Sequence, residues 1–257
     1  MIQVKSEKDL DRMRVAGRHV AEILLSVREL VGPGQTTAGF DRAAKEEIRR
    51  RGLESSFLGY GPGGAPPFPA VICTSVNDEV VHGIPGSRAL REGDLLKLDF
   101  GVIFDGFHGD SALTVPVGRV SEEAQNLLDA TRESLYQGIG QMQAGNRVGD
   151  ISQAVQKSVE QAGFSIVRQF VGHGIGRELH EPPQVPNFGP GGRGPRLRPG
   201  MVLAIEPMVN EGTAEVEVLE DRWTAVTRDR RLSGHFEHTV AVTADGPEIL
   251  TRIPGSH

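Results

Sequence analysis

Cysteine is nearly absent: Cys73 is the single one in 257 residues. It has no partner for an internal disulfide, which fits a reducing compartment, and without a cysteine cluster a thiolate-bound structural zinc is excluded. No apolar run is long enough to span a bilayer. The opening MIQVKSEKDLDRMR alternates charged and apolar residues instead of building the apolar stretch of a secretion signal. A basic excess is missing as well, with a net charge of -6 and an isoelectric point near 5.8. Affinity for phosphate backbones needs clustered Lys and Arg, so no nucleic-acid substrate is expected. The expectation from these absences is a cytoplasmic protein without membrane attachment.

What is present is ordinary for a compact fold: 38% hydrophobic and 24% charged residues. A chain of this length suits one catalytic domain over residues 1–257. Apolar residues recurring at three- and four-residue steps predict a helix from Glu7 to Leu30, ended by Gly32 and Pro33. A second helix is predicted from Thr37 to Arg51, stopped by Gly52, with a strand over Ser55 to Tyr60. The order then recurs, with helices predicted at Glu122–Met142 and Val148–Gln161. Gly34 and Gly52 reappear as Gly145 and Gly163, both at an offset of 111. That period is too long for a solenoid and fits two similar halves, about 1–118 and 119–257, sharing a central sheet.

Strands are readable at Ala70–Ser75, Asp94–Phe104, Ser111–Val117, Met201–Met208 and His235–Thr243, which together with the helices gives an α+β class. The segments GPGGAPP (Gly61–Pro67) and GPGGRGPRLRP (Gly189–Pro199) read as irregular surface turns.

Chemistry enters in LLKLDFGVIFDGFHGDSA, where Asp105-Gly106 is a tight-hairpin dipeptide and Asp99 and Asp110 should lie nearly opposite each other on its arms. Facing carboxylates on apolar strands repel unless a cation lies between them. Asp99 alone would read equally well as a solvated edge residue. His173, set between glycines in FVGHGIG, reads as a ligand or as a surface-loop imidazole. Glu206 in VLAIEPM and Glu237 before HTVAV would each alone be a paired core or edge carboxylate. Taken together, the five form an oxygen-rich set with one imidazole, suited to two divalent ions such as Mn, Fe, Co or Zn. Two such ions about 4 Å apart are the recurrent device of hydrolases.

The motifs VVHGIPG, LLKLDFGVIFDGFHGDSA, FVGHGIGRELHEPPQVPNFG, VLAIEPM and DRWTAVTRDRRLSGHFEHTVAVT resemble those of type I methionine aminopeptidases over nearly the whole chain. The resemblance implies a pita-bread fold, with two pseudo-symmetric halves around a curved antiparallel sheet. It implies removal of N-terminal methionine from nascent proteins and peptides with a small second residue. Asp99 would bind one ion, His173 and Glu206 mainly the other, and Asp110 and Glu237 both. Glu206 would be the general base acting on a water held between the ions. His82 and His180 would bind substrate at the scissile amide, with His82 assisting proton delivery. Tyr60, Phe68, Cys73, Phe170 and Trp223 would line the methionine pocket.

By the same resemblance, Asn77 and Ser233 match positions that hold a structural monovalent cation in some members. Transient ribosome association is also implied; a monomer is the expectation, though no residue pattern reads out the oligomeric state. The sequence departs from the family after Tyr60, where GPGGAPP stands in place of a His-Gly-aromatic-Pro run. That departure bears on the pocket rim and on tolerance for the second residue.

Two enzyme alternatives share the fold. Proline-specific relatives usually carry a large additional N-terminal domain. Type II members insert a subdomain between the His and first Glu ligands, here only His173 to Glu206. A metal-free binding module is a third reading, against which the five intact ligand positions count.

Overall fold

The computed structural model describes residues 2–252. In the first half, helix α1 (Glu7–Arg28) and helix α2 (Thr37–Arg51) precede strands β1 (Glu54–Ser55), β2 (Ile72–Val76), β3 (Glu79–Val81), β4 (Leu95–Phe104) and β5 (Phe107–Pro116). The second half begins with α3 (Glu122–Gly140) and α4 (Val148–Gln161), followed by β6 (Ser165–Ile166), β7 (Gly172–Gly174), β8 (Glu181–Val185) and β9 (Val202–Ile205). It continues through β10 (Met208–Asn210), β11 (Val216–Val218), β12 (Ala225–Thr227), β13 (Ser233–His235), β14 (Glu237–Thr243) and β15 (Gly246–Ile249).

Helix α1 starts where Ser6 and Asp9 cap each other reciprocally, satisfying backbone donors that the first turn leaves free. It ends at Arg28, so Leu30 lies beyond it and is exposed. Helix α2 has the expected bounds, and Gly52 closes it in the left-handed conformation (φ 64°) that glycine adopts without strain. Helix α4 also matches, while α3 stops two residues early at Gly140.

The main sheet is antiparallel, in the order β1-β4-β5-β14-β9-β7-β8, with β2 also on β4 and β15 also on β14. Alternation along β4 sends Leu96, Leu98, Phe100 and Val102 into a core shared with Val20, Ile23, Leu24 and Val27 of α1. A corresponding core joins Leu127, Leu128 and Leu135 of α3 and Ile151 and Val155 of α4 to Leu203, Ile205, Val240 and Val242. The helices therefore cover one face of the sheet, and Lys97, Asp99, Asp110 and Glu237 project from the other.

The 111-residue offset reappears in the backbone. Gly34 donates its N–H to the carbonyl of Leu90 and Gly145 to that of Leu197, while Thr37 bonds to Arg88 and Val148 to Pro195. In these pairs the helix-side residues are 111 apart and their carbonyl partners 107 apart; the isolated bridges Thr36–Ala89 and Arg147–Arg196 repeat both spacings, and β1 and β6 are again 111 apart.

Three strand expectations require correction. Of the Ser55–Tyr60 stretch only Ser55 pairs in the sheet, as the second residue of β1, because its hydroxyl accepts from the N–H groups of Phe57 and Leu58 and curls the chain. Met201–Met208 is interrupted at Pro207, which has no N–H for the ladder. His235–Thr243 divides at Phe236 into β13 and β14, which belong to different sheets. β8 escaped notice because EPPQV carries two prolines, and it lies at the sheet edge where prolines are tolerated.

Candidate metal centre and substrate cavity

The hairpin turn falls at Asp105 and Gly106, both at positive φ, so β4 and β5 run in register from Phe104–Phe107 outward. Asp99 is paired with Ala112 and Asp110 with Gly101, so the two aspartates are diagonal same-face neighbours, not directly opposite. On the far side of β5, Ala112 pairs with Glu237. Asp99, Ala112 and Glu237 thus form one row across three strands, and the small alanine leaves room between the carboxylates. His173 enters from β7, paired with Ala204 of β9, and Glu206 follows directly where β9 ends.

The glycines around His173 serve the backbone of neighbouring strands. A Cβ on Gly172 would lie 2.4 Å from the carbonyl oxygen of Ala204, and one on Gly174 would lie 2.4 Å from that of Pro182. These glycines let β8 and β9 close around the imidazole.

Oxygen and nitrogen atoms of Asp110, His173 and Glu237 lie within 4.8 Å of one another, and His173 Nε2 is 3.5 Å from a Glu206 oxygen. The His173 Nδ1–H donates to the carbonyl of Gly174 at 2.9 Å, which leaves the Nε2 lone pair facing the carboxylates. Burial pushes this imidazole down to about 3, with His180 adding to the effect, so it is a neutral donor at pH 7.

Burial likewise pushes the Asp99 carboxyl up to about 7. Asp110, Glu206 and Glu237 rise well above the carboxylate range, first through burial, then through the charge of Asp99 and, for the two glutamates, of neighbouring carboxylates in the cluster. Among the described residues, Asp99 Oδ1, Asp110 Oδ1 and Glu237 Oε1 are buried without a hydrogen-bond partner. Each such atom costs about 1–3 kcal/mol if left unsatisfied. Four carboxylates and one neutral imidazole, with orphaned oxygens turned inward, are a donor set that fits divalent cations.

Above this cluster lies a cavity of about 160 Å³. Tyr60, Phe68, Cys73, His82, His180 and Trp223 line it, together with Phe57, Pro62 and Leu179, which the sequence did not single out. Phe57 was hidden in the misread strand and Pro62 in a stretch read as a surface turn. Phe170 is outside the lining and packs edge-on behind His82, with ring centroids 5.5 Å apart.

The GPGGAPP segment is tied to the rim. Trp223 Nε1 donates to the Pro66 carbonyl at 3.0 Å, and the Arg222 guanidinium donates to that of Gly64 at 2.9 Å. His82 is held at a positive φ of 61°, an uncommon conformation for a side-chain-bearing residue. His180 stands 4.1 Å ring to ring from His173, and its Nδ1 is 2.5 Å from the Tyr60 hydroxyl. Burial depresses both His82 and His180 to about 4.

Two further residues were not anticipated. His235 is buried with its Nε2 3.8 Å from Glu206, and neither ring nitrogen has a hydrogen-bond partner among the described residues. Its place two positions before Glu237 was the available signal. Lys97 is also buried, and its amine donates to the carbonyls of Asn77 at 2.6 Å and Ser233 at 2.9 Å.

The chain matches the model of metallopeptidase family M24 over residues 11–244. It is 52% identical over 254 residues to a methionine aminopeptidase of Clostridium perfringens, covering 98% of this chain and 100% of that one. It is 49% identical to methionine aminopeptidase 1 of Bacillus subtilis, with the same coverage. The solved methionine aminopeptidase of Thermotoga maritima superimposes with a TM-score of 0.94 at 44% identity, covering 98% of this chain and 100% of that chain. A Xaa-Pro dipeptidase of Bacillus anthracis superimposes at 0.77 with 19% identity, covering 98% of this chain and 63% of that one, a likeness of fold alone.

Proposed function

Because the chain belongs to metallopeptidase family M24, in its type I methionine aminopeptidase branch with the pita-bread fold, we propose that it hydrolyses the N-terminal methionine of peptides and nascent proteins whose second residue is small. The observation that carries this reading is that five metal-type donors share the lining of one small, largely apolar cavity.

Asp99, Asp110, His173, Glu206 and Glu237 would hold two divalent cations. When bound, these cations supply Lewis-acid polarisation of the scissile carbonyl and lower the pKa of a water molecule. Every other step falls to the chain.

Phe68, Cys73 and Trp223 offer the methionine side chain an apolar, polarisable surface. Phe68 and Trp223 brace each other edge to face at 5.2 Å, which fixes the width of that surface. The Cys73 thiol stays protonated at neutral pH, since burial and then Asp99 push it up, so it packs there as a neutral group.

Glu206 takes the proton of the attacking water and returns it toward the leaving amine. His82 and His180, kept neutral by burial, donate ring N–H bonds to the substrate amide rather than a full positive charge. The Tyr60 hydroxyl sets the ring of His180. The rim formed by Pro62 and the tied GPGGAPP segment crowds the space beyond the methionine, so a bulky second residue is penalised.

The chain acts in this reading as one catalytic unit, a monomer in the cytoplasm that meets nascent chains near the ribosome. Among the described residues no helix is long and apolar enough to cross a membrane. The test uses Met-Ala-Ser, Met-Lys-Ser and Ala-Pro peptides on chelated protein with and without added metal. Metal-dependent methionine release from the first alone is expected. Release from Ala-Pro, or equal release from both methionine peptides, would overturn the substrate assignment.

A further inference from the structure

Lys97 stands in the middle of β4, on the same face of the sheet as Asp99, yet its side chain takes no part in the metal cluster. It is among the largest fully buried side chains of the protein. Its amine makes two hydrogen bonds, both to backbone carbonyls from distant parts of the chain. One acceptor is Asn77, in the turn between β2 and β3, and the other is Ser233, the first residue of β13. Burial is the largest influence on this amine and lowers it to about 7, while the carboxylates of Glu79, Asp78 and Asp94 act in the opposite direction.

Two backbone carbonyls converging on one buried point are the chemistry by which proteins seat a monovalent cation, whose weak field suits neutral oxygen ligands. Asn77 and Ser233 are also the two positions for which the sequence resemblance implied such an ion. The rest of the seat is prebuilt. Asn77 is held at φ 58°, its side chain donates to Asp94 and accepts from the N–H of Leu95, and its carbonyl also accepts from the Ser233 N–H. The Ser233 hydroxyl is engaged by the Val209 carbonyl and by Asn210.

We infer that Lys97 is a covalently tethered replacement for the structural monovalent cation, so that this chain joins its two halves at Asn77 and Ser233 without binding a separate ion. The joint is well placed to matter. The segment after Asn77 runs through β3 to His82, and the segment after Ser233 runs through His235 to Glu237. A side chain anchored in β4 is therefore a fixed tie between the strands that carry both parts of the site. The inference is independent of which peptide is cleaved.

The test compares wild type and Lys97→Ala, both loaded with manganese, in potassium, sodium or tetramethylammonium acetate at equal ionic strength. Thermal unfolding is one readout, and thallium(I) anomalous density in crystals is the other. Wild type should melt at the same temperature in all three salts and show no thallium between Asn77 and Ser233. Lys97→Ala should melt lowest in tetramethylammonium, recover by about 5 °C in potassium or sodium, and show thallium at the two carbonyls. Thallium between those carbonyls in wild type, or a wild-type melting temperature that climbs saturably with potassium or sodium, would overturn the inference. A folded Lys97→Ala that gains nothing from either ion and binds no thallium would overturn it too. If the variant fails to fold, the wild-type crystal and salt series still decide between the same outcomes.

Discussion

Replacing Asp99 by asparagine is expected to raise the melting temperature of the metal-free protein and to lower that of the metal-loaded one. Burial moves the Asp99 carboxyl from 3.8 to about 7. The folded state therefore holds this proton more tightly than the unfolded state, and the associated stability is present below pH 3.8 and lost as pH rises through 7. Each pH unit is worth about 1.4 kcal/mol, so an ionised Asp99 costs at most about 4 kcal/mol at about pH 8. Asp99 borders the cavity and is partly open to it, which halves that figure to about 2 kcal/mol. For a chain of this size that corresponds to about 4–8 °C. The assay is thermal unfolding at about pH 8 after chelation and again with saturating manganese. Chelated Asp99→Asn melting at or below chelated wild type would refute the claim that the cage is electrostatically strained without cations.

Glu206→Gln should lower kcat by about 10³-fold while chelated protein remains at least as stable as wild type, since one buried negative charge is gone; steady-state kinetics and unfolding curves check the two halves. Lys5 and Glu181 form a buried pair at 2.6 Å that fastens the N-terminal segment beside His180, and Lys5→Met leaves the Glu181 charge uncompensated. It should cost about 3–5 kcal/mol, read as a fall in melting temperature of about 10 °C or more, with Glu181→Gln in the same chain restoring most of the loss. Trp223→Phe keeps an aromatic ring but removes the bond to Pro66. The freed rim should raise kcat/KM for Met-Val relative to Met-Ala peptides by about fivefold, the worth of one such hydrogen bond.

Helices α2 and α4 were legible to the residue because glycines just past their C-termini leave little choice of where they end. The carboxylates Asp99, Asp110, Glu206 and Glu237 stood out in the sequence because a carboxylate in an apolar strand is costly to bury unless a cation or a set of donors meets it, and His173 stood out through the glycines on either side of it. The β4–β5 turn was legible from Asp105-Gly106 alone, although only the register showed that Asp99 and Asp110 are offset by two positions.

What escaped depends on partners far away in the chain. A lysine in LLKLDF reads as the solvent-facing member of an alternating strand. Its burial follows from carbonyls that stand 20 residues earlier and 136 residues later in the sequence. The cavity lining of Phe57 and Pro62 follows from a serine side chain that curls one segment and a tryptophan that ties down another. Neither bond leaves a pattern in composition or periodicity.

The central claim is that Asp99, Asp110, His173, Glu206 and Glu237 together hold divalent cations. Crystals grown with excess manganese, measured at the manganese absorption edge, test it most directly. Two anomalous peaks are expected, each within coordination distance of its share of these five residues and with Asp110 and Glu237 shared. Data showing no anomalous density among the five, or density held by other residues, would contradict it.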